Sequence, residues 1–240
     1  MTSIAQKQFS FGTVISESIS VFTANLASFA IVSLLLLLPL LLYNLAVGAP
    51  AGGFSASGLF PIIIQMVLGY LLAATISFAT FQYLRGHPVS IGECLSRGLS
   101  LILPVIGVAI LVAIITFVGL LLLVVPGIIA AVMLWVAIPV AVVERPGVIE
   151  SLKRSADLTR GYRWSIFGIL IVIGIVLIVI TMVLSFILLS VAGFTVSSIG
   201  LWVIQALFSA FSATAAAVGY YFLRATKEGV DIGDIAKVFD

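Results

Sequence analysis

The sequence predicts an all-α integral membrane protein with six transmembrane helices arranged as three hairpins. The first indication is composition: 62% of the 240 residues are hydrophobic and only 8% are charged, whereas soluble domains carry about 25% charged residues. The second is that all charged residues lie in four clusters, which charge-free blocks separate at residues 18–84, 98–143 and 164–223. A transmembrane helix needs about 20 residues, so each block has room for two helices and a turn.

Turn signals inside the blocks set the boundaries of the predicted spans. The first block breaks at the Gly-rich stretch 48–58, the second at Val125-Pro126-Gly127 and the third at 193–198. Lipid cannot bond to backbone polar groups, so each span is expected to be a continuous helix. The expected spans are residues 26–47, 60–85, 101–124, 127–143, 165–191 and 200–223. Pro39 and Pro139 are expected to kink the first and fourth of them.

The positions of Lys and Arg predict the orientation. The three turns contain neither residue type, and all eleven basic residues lie near the N-terminus, in the two longer loops or in the C-terminal tail. Basic residues favour the cytoplasmic side, so both termini and both polar loops are expected there. The expected location is the inner (plasma) membrane, which the chain would cross several times. The chain forms one membrane domain, 1–240, made of an N-terminal amphipathic segment (1–25), three hairpin units (26–87, 88–143 and 144–225) and a tail (226–240).

A short pattern is repeated before each predicted hairpin. It reads Ile15-x-Glu17-x-Ile19, then Ile91-x-Glu93-x-Leu95, then Val148-x-Glu150-x-Leu152. In the last two copies an arginine, Arg97 or Arg154, follows the glutamate at the spacing that favours an ion pair on a helix. In the third copy Val148, Leu152 and Ala156 fall on one helical face. The pattern predicts three amphipathic helices on the cytoplasmic surface, and Ser90 with Glu93 predicts a capping box at the start of the second.

The predicted spans contain no charged residue, so a proton relay or a charged counter-ion site inside the membrane is not expected. His87 is the only histidine and Cys94 the only cysteine, which is too few for the usual zinc sites. We therefore expect a protein that is not an enzyme and that uses no metal, cofactor or nucleic acid. Gln65 and Gln205 occur in the similar stretches IIIQ and WVIQ and are candidate substrate-lining residues. Polar residues of this kind more often bond to neighbouring helices.

The third polar segment is rich in basic residues and is a candidate surface for anionic lipids of the inner leaflet or for a protein partner. These residues are Arg145, Lys153, Arg154, Arg160 and Arg163. Glu144, at the membrane boundary, is expected to form a structural pair with Arg160 or Arg163. Small residues on the last span favour close packing against a helix of the same chain or of another copy in a homo-oligomer.

Two functions remain open on these grounds. The first is a non-enzymatic protein that organises lipid or a protein partner at the cytoplasmic membrane surface. The alternative is a carrier or permease for a neutral or amphiphilic small molecule or lipid, with a cavity that reaches Gln65 and Gln205. Internal repeats are common in such transporters.

Residues 125–164 also carry a resemblance to a known family. They contain the turn Pro126-Gly127, an apolar span, the boundary residue Glu144 and a segment from Ser155 to Gly161 that reads Ser-x-x-Leu-Thr-x-Gly. This pattern, with the tail YYFLRATKEGVDI, resembles the membrane domain associated with glycerophosphoryl diester phosphodiesterases and the YciC-like bacterial inner-membrane proteins. The resemblance implies a membrane fold. It implies no phosphodiesterase activity, because the paired histidine and the glutamates of that enzyme have no counterparts here.

Overall fold

The computed structural model describes residues 8–47, 56–191 and 193–229, and the regular structure of this part of the chain is helical throughout. The helices are, in order, α1 Phe11–Ala24, α2 Leu26–Val47, α3 Ala56–Leu84, α4 Ile91–Ser100, α5 Ile102–Leu122, α6 Val124–Met133, α7 Ala137–Val143, α8 Val148–Thr159, α9 Arg163–Val191 and α10 Phe194–Glu228. Helices α1, α4 and α8, with 14, 10 and 12 residues, fall where the repeated pattern predicts them.

Six helical stretches of the described residues are long and apolar enough to cross a membrane, which confirms the predicted class of multi-pass helical protein. They are Leu26–Ala46, Ile62–Leu84, Ile102–Leu122, Val124–Val143, Arg163–Leu188 and Thr195–Glu228. Five agree with the predicted spans to within a few residues at most ends. The fourth departs from the prediction, because it consists of the two helices α6 and α7.

The break in the fourth span has a cause in the sequence. Pro139 has no N–H, so the carbonyl group of Trp135 cannot receive the usual hydrogen bond from four residues ahead. The N–H of Ala137 donates instead to the carbonyl oxygen of Leu134, at 3.0 Å. The carbonyl oxygen of Met133 therefore loses the donor that a continuous helix would supply. The kink predicted at Pro139 is thus a complete interruption of the helix, whereas α2 continues through Pro39.

Helix α8 supplies the hydrogen bonds that the break removes. The hydroxyl groups of Ser155 and Thr159 donate to the carbonyl oxygen of Met133, at 2.8 Å and 3.3 Å. Together with Ser151, which donates to the Gly147 carbonyl at 2.7 Å, they form a line of hydroxyl groups along the helix. All three are fully buried. Helix α8 is therefore packed against the protein through a mixed face, in which these hydroxyl groups lie beside the buried residues Leu152 and Leu158.

This face overlaps only in part with the one that the sequence predicted. Of Val148, Leu152 and Ala156, only Leu152 is buried, and the other two are half-buried. Buried backbone carbonyl groups need donors, so the hydroxyl groups turn toward the break and the predicted apolar face turns partly away. Helix α8 contacts α5, α6, α7 and α10.

Helix α10 lies at the centre of the packing and contacts α1, α2, α3 and α9. Its residues Tyr220 to Leu223 are at most 1% exposed. The small residues of this helix were predicted to allow close packing against another helix. Two of them, Ala213 and Ala217, are buried by helices of the same chain. The indole N–H of Trp202 donates to the carbonyl oxygen of Leu37, at 3.0 Å, and joins α10 to α2.

The helix ends show further differences from the sequence prediction. The second turn falls at Leu123, and Pro126 lies in the first turn of α6, where proline is tolerated. The third turn is at Gly193, and helix α10 already begins at residue 194. Ser90 precedes α4 as its N-cap, but its side chain makes no capping hydrogen bond. The Gly-rich stretch 48–55 and the tail 230–240 lie outside the described residues.

Helix α4 approaches α3 so closely that a side chain at Gly98 has no room. A Cβ atom there would lie 2.1 Å from Oγ1 of Thr75, whose hydroxyl donates to the carbonyl oxygen of Leu71 at 2.8 Å. We expect Gly98→Ala to lower stability by about 1 kcal/mol, because overpacking costs about 1–3 kcal/mol and the better helix propensity of alanine offsets part of it.

The control for this prediction is Gly92→Ala, on the same helix. A Cβ atom at Gly92 meets nothing within 4 Å, so this variant gains the helix propensity without the clash. Thermal unfolding in detergent, followed by circular dichroism, should place Gly98→Ala below the wild type and Gly92→Ala at or above it. Equal midpoints for the two variants would show that α4 is free to move away from α3.

Candidate functional site

Charged side chains from three parts of the chain meet at one end of the helix bundle. The carboxylate of Glu144, at the end of α7, accepts hydrogen bonds from Nε of Arg154 at 2.8 and 3.1 Å. It also accepts one from the hydroxyl group of Tyr220, at 2.8 Å. Nε of Arg224 lies 4.0 Å away. We call Glu144, Arg154, Tyr220, Arg224 and Glu228 the charge cluster.

Glu228 completes the charge cluster by binding both arginines. It pairs with Arg154 and with Nε of Arg224, at 3.0 Å, and Nη1 of Arg224 donates to the Tyr220 hydroxyl at 3.1 Å. Burial opposes the charge of Arg154, but the two carboxylates outweigh this and raise its pKa. The cluster holds two positive and two negative charges, each paired. Such an arrangement is suited to joining α7, α8 and α10 and not to proton transfer.

The cluster differs from the predicted pairing of Glu144 with Arg160 or Arg163. Within the described residues, the ion pairs of Glu144 go to Arg154 and Arg224. The structure likewise pairs Arg154 with Glu144 and Glu228, and not with Glu150 four residues before it. Helix α8 turns Arg154 inward toward α10, where the two partly exposed carboxylates, Glu144 and Glu228, bind it together, which is more than one solvated surface pair would offer.

The other basic residues of the predicted surface are not equivalent. Arg145, Lys153 and Arg160 are exposed. Arg163 is half-buried at the start of α9, and its Nε atom is buried without a hydrogen-bond partner in the described part of the chain. The five predicted basic residues are therefore not equivalent: three are exposed, Arg154 belongs to the charge cluster, and Arg163 is half-buried beside α6.

A cavity of about 460 Å³ lies between α3, α7, α9 and α10, beside the break in the fourth span. A second cavity, of about 450 Å³, lies between α3, α5, α6, α7 and α9. The side chain of Trp135, in the break itself, lines both, as do those of Tyr70 and Leu170. These volumes fall in the range of about 300–1,000 Å³ that small-molecule sites occupy. We call the first one the central cavity.

The walls of the central cavity are mainly apolar, with a few polar groups. The polar residues in its lining, besides Trp135, are Tyr70, Ser77, Gln205, Ser209 and Ser212. Ser77 donates to the Ala73 carbonyl oxygen at 2.7 Å. Across residues 8–47, 56–191 and 193–229, the side chains of the other four form no hydrogen bond with the protein. Both Gln205 and Gln65 are exposed, but only Gln205 belongs to the lining of the central cavity.

The described residues contain no group of three His, Cys, Asp or Glu side chains that could hold a metal ion. Cys94 is buried on α4. Burial, and then the charge of Glu93, raises the pKa of its thiol to about 11, so it is protonated at neutral pH. Glu93 itself accepts a hydrogen bond from Nε2 of Gln82, at 3.3 Å.

Sequence reasoning missed several residues of these sites. Tyr220, Arg224 and Glu228 follow one another at intervals of four, which places them on one face of a helix. Ser151, Ser155 and Thr159 have the same spacing on α8. A search for polar residues repeated at intervals of four, like the usual search for apolar ones, would have indicated both sets. Tyr70 and Trp135 carry no comparable signal, because only the fold brings them together.

Comparisons with known proteins define the family but not its activity. A search of the curated proteins and a search of the solved structures gave no match. A family model described as a domain of unknown function, DUF7847, matches residues 89–226. This range includes α4 to α9, most of α10 and nearly all of the stretch that carries the resemblance described above. Since the match covers more than half of the chain, the protein belongs to the DUF7847 family.

Proposed function

We propose that the protein is a carrier that binds an uncharged or weakly polar amphiphile, such as a lipid or lipid precursor, in the central cavity. The observation that carries this proposal is the set of four polar side chains without partners among the described residues, around an otherwise apolar space: Tyr70, Gln205, Ser209 and Ser212. Gln205 is exposed and the other three are half-buried, and polar groups at membrane depth find no hydrogen-bond partners in the surrounding lipid. A ligand with a small polar head and an apolar body would supply them.

The chemistry of the lining also limits the ligand. Among the described residues, no Asp, Glu, Lys or Arg side chain lines the central cavity, so a charged head group would be buried without a counter-ion at high cost. Hydroxyl and amide groups instead suit hydroxyl, ester or amide groups on the ligand. The break next to the cavity provides a point where the fourth span can change its angle, as discontinuous helices do in many carriers.

The proposal also includes the orientation of the protein and the membrane in which it lies. We infer from the distribution of Lys and Arg that the charge cluster faces the cytoplasm, and that the helices form three hairpins in a bacterial inner membrane. The resemblance to the membrane domain associated with glycerophosphoryl diester phosphodiesterases agrees with a role in lipid handling. Binding and movement of the ligand, without a chemical step, account for all the groups at the cavity.

A second candidate function is the organisation of anionic lipid or a protein partner at the cytoplasmic surface. The exposure of Arg145, Lys153 and Arg160 favours it, because exposed basic residues near an anionic leaflet each contribute about 1 kcal/mol. Arg154 does not belong to this surface, since both of its carboxylate partners lie within the protein. Charge reversal at Lys153 and Arg160 should then reduce lipid retention, while Gln205→Leu should not.

The test of the carrier proposal compares Gln205→Leu with Gln65→Leu. Both replace an intramembrane glutamine by leucine, but only Gln205 lines the cavity. We expect native mass spectrometry of the gently extracted protein to show a bound small molecule. Loss of one hydrogen bond is worth about 1 kcal/mol, which corresponds to about fivefold lower retention in Gln205→Leu, with no change in Gln65→Leu. Equal retention in the two variants would place the ligand outside the central cavity.

Movement of the ligand needs its own measurement. Liposomes that contain the protein should exchange a fluorescent diacylglycerol analogue between leaflets faster than empty liposomes, as measured by chemical quenching of the outer leaflet. Gln205→Leu should slow this exchange and Gln65→Leu should not. If retention falls in Gln205→Leu while exchange matches that of empty liposomes, the protein binds the amphiphile without carrying it.

A further inference from the structure

An open groove lies between α6 and the first turn of α9, away from the central cavity. Its volume is about 480 Å³, and seven residues line it: Val125, Ile128, Ile129 and Val132 from α6, and Arg163, Trp164 and Phe167 from α9. Val125 is 64% exposed and Trp164 is 85% exposed. None of the seven lines the central cavity. An apolar trough of this shape on the outside of a membrane protein is accessible to lipid.

The one charged residue among these seven lies at the end of the groove formed by α9. The Nε atom of Arg163 is buried and forms no hydrogen bond within the described residues. Arg163 also lies in a positively charged neighbourhood. Lys227 is close enough to Arg154, Arg160 and Arg163 to be repelled by all three, and the acidic residue Asp157 attracts it. The two carboxylates of the charge cluster already bind Arg154, whereas Arg163 has no such partner in the part of the chain that the structure describes. Arg163 is half-buried, and a guanidinium group with a buried, unpaired nitrogen is stabilised by an anion beside it.

The aromatic residues specify where the anion would lie. The rings of Trp164 and Phe167 are 6.1 Å apart in an edge-to-face arrangement, and the indole group of Trp164 is almost fully exposed beside Arg163. Tryptophan is enriched at the level of lipid head groups, and arginine binds phosphate through a planar pair of donors. The groove therefore places a phosphate-binding group next to an apolar wall.

We propose that this groove binds an anionic phospholipid of the surrounding bilayer, with one acyl chain along α6 and the phosphate at Arg163. The occupant is a lipid because the wall is purely aliphatic and aromatic, and it is anionic because the unpaired charge at its end is positive. This site does not depend on the proposed carrier function, since the central cavity and the groove share no residue.

The test measures retention of phosphatidylglycerol and of phosphatidylcholine by the purified full-length protein in native mass spectrometry, after exchange into detergent that contains equal amounts of both. The wild type should retain phosphatidylglycerol preferentially. Arg163→Gln should lower this retention about tenfold, because charge-assisted bonds to phosphate are the strong ones. Arg160→Gln is the matched control, since Arg160 is exposed and absent from the groove.

Two further variants distinguish binding in the groove from binding elsewhere on the protein. Ile129→Trp should fill the trough and lower retention without any change of charge, and Gln205→Leu should leave phosphatidylglycerol retention as in the wild type. Equal losses in Arg160→Gln and Arg163→Gln would show diffuse surface attraction and overturn the proposal. So would a loss in Gln205→Leu, which would assign the lipid to the central cavity, or equal retention of the two lipids by the wild type.

Discussion

Replacing Glu144 with alanine is expected to destabilise the protein by about 2–3 kcal/mol. The carboxylate receives three hydrogen bonds, from Arg154 and Tyr220, and its side chain is only 18% exposed. Removing one member of a buried pair costs about 3–5 kcal/mol because it leaves an uncompensated charge. The partial exposure of Arg154 reduces that figure. For a chain of this length, about 2–4 °C is lost from the unfolding midpoint per kcal/mol.

Cys94 provides the measurement for this prediction. It is the only cysteine of the chain and it is buried, so a fluorogenic maleimide reacts with it when the fold opens. Glu150→Ala is the control, since Glu150 is an exposed carboxylate on α8 outside the charge cluster. Its midpoint should fall by less than that of Glu144→Ala. If both variants unfold at the same temperature, the charge cluster does not hold the helices together.

Replacing Gly219 with alanine is expected to cost about 2 kcal/mol and to disturb the central cavity. A Cβ atom at this position would lie 2.5 Å from Cζ3 and 2.6 Å from Cη2 of Trp135. The ring of Trp135 would have to turn into one of the cavities that it lines, or α10 would have to shift, and overpacking of this kind costs about 1–3 kcal/mol. Because Trp135 lines both cavities, retention of the amphiphile should fall together with the unfolding midpoint.

The matched control is Gly174→Ala, on α9. Gly174 lines the same cavity, but a Cβ atom there meets nothing within 4 Å. This variant should match or exceed the stability of the wild type, since alanine favours helix over glycine by about 1 kcal/mol. Differential scanning calorimetry in detergent compares the two directly. A Gly219→Ala protein as stable as Gly174→Ala would mean that the Trp135 ring has room to turn.

The sequence predicts the coarse architecture well because the bilayer imposes strict rules on composition. Charge-free blocks such as 98–143 need long helices to satisfy the backbone in lipid, and the structure places apolar helices in each of them. The repeated pattern around Glu17, Glu93 and Glu150 also predicts the positions of α1, α4 and α8, since interfacial helices show a clear polar period.

The partners of individual side chains could not be predicted in the same way. Glu144 bonds to Tyr220, which is 76 residues away in the sequence. Patterns of spacing within one helix give no information on a contact between residues so far apart. The inward face of α8 was predicted only in part: Leu152 is buried as expected, but apolar residues normally mark the buried face of a helix and give no sign of the buried hydroxyl groups. Here a break in another helix leaves the carbonyl group of Met133 without its donor. Ser155 and Thr159 turn inward because their hydroxyl groups supply the missing hydrogen bonds. Pro139 indicated a kink, but not which helix would compensate for it.

The two roles of α8 have a mechanical consequence. Arg154 holds Glu144 and Glu228, while the adjacent residue Ser155 holds the Met133 carbonyl oxygen at the break. Neighbouring residues on one rigid helix cannot move independently. A ligand that displaces Trp135 would shift the Met133 carbonyl group. Because Ser155 binds this group and Arg154 binds Glu228, α8 would move with it and shift the end of α10. If the central cavity holds the proposed amphiphile, its occupancy is therefore coupled to the charge cluster.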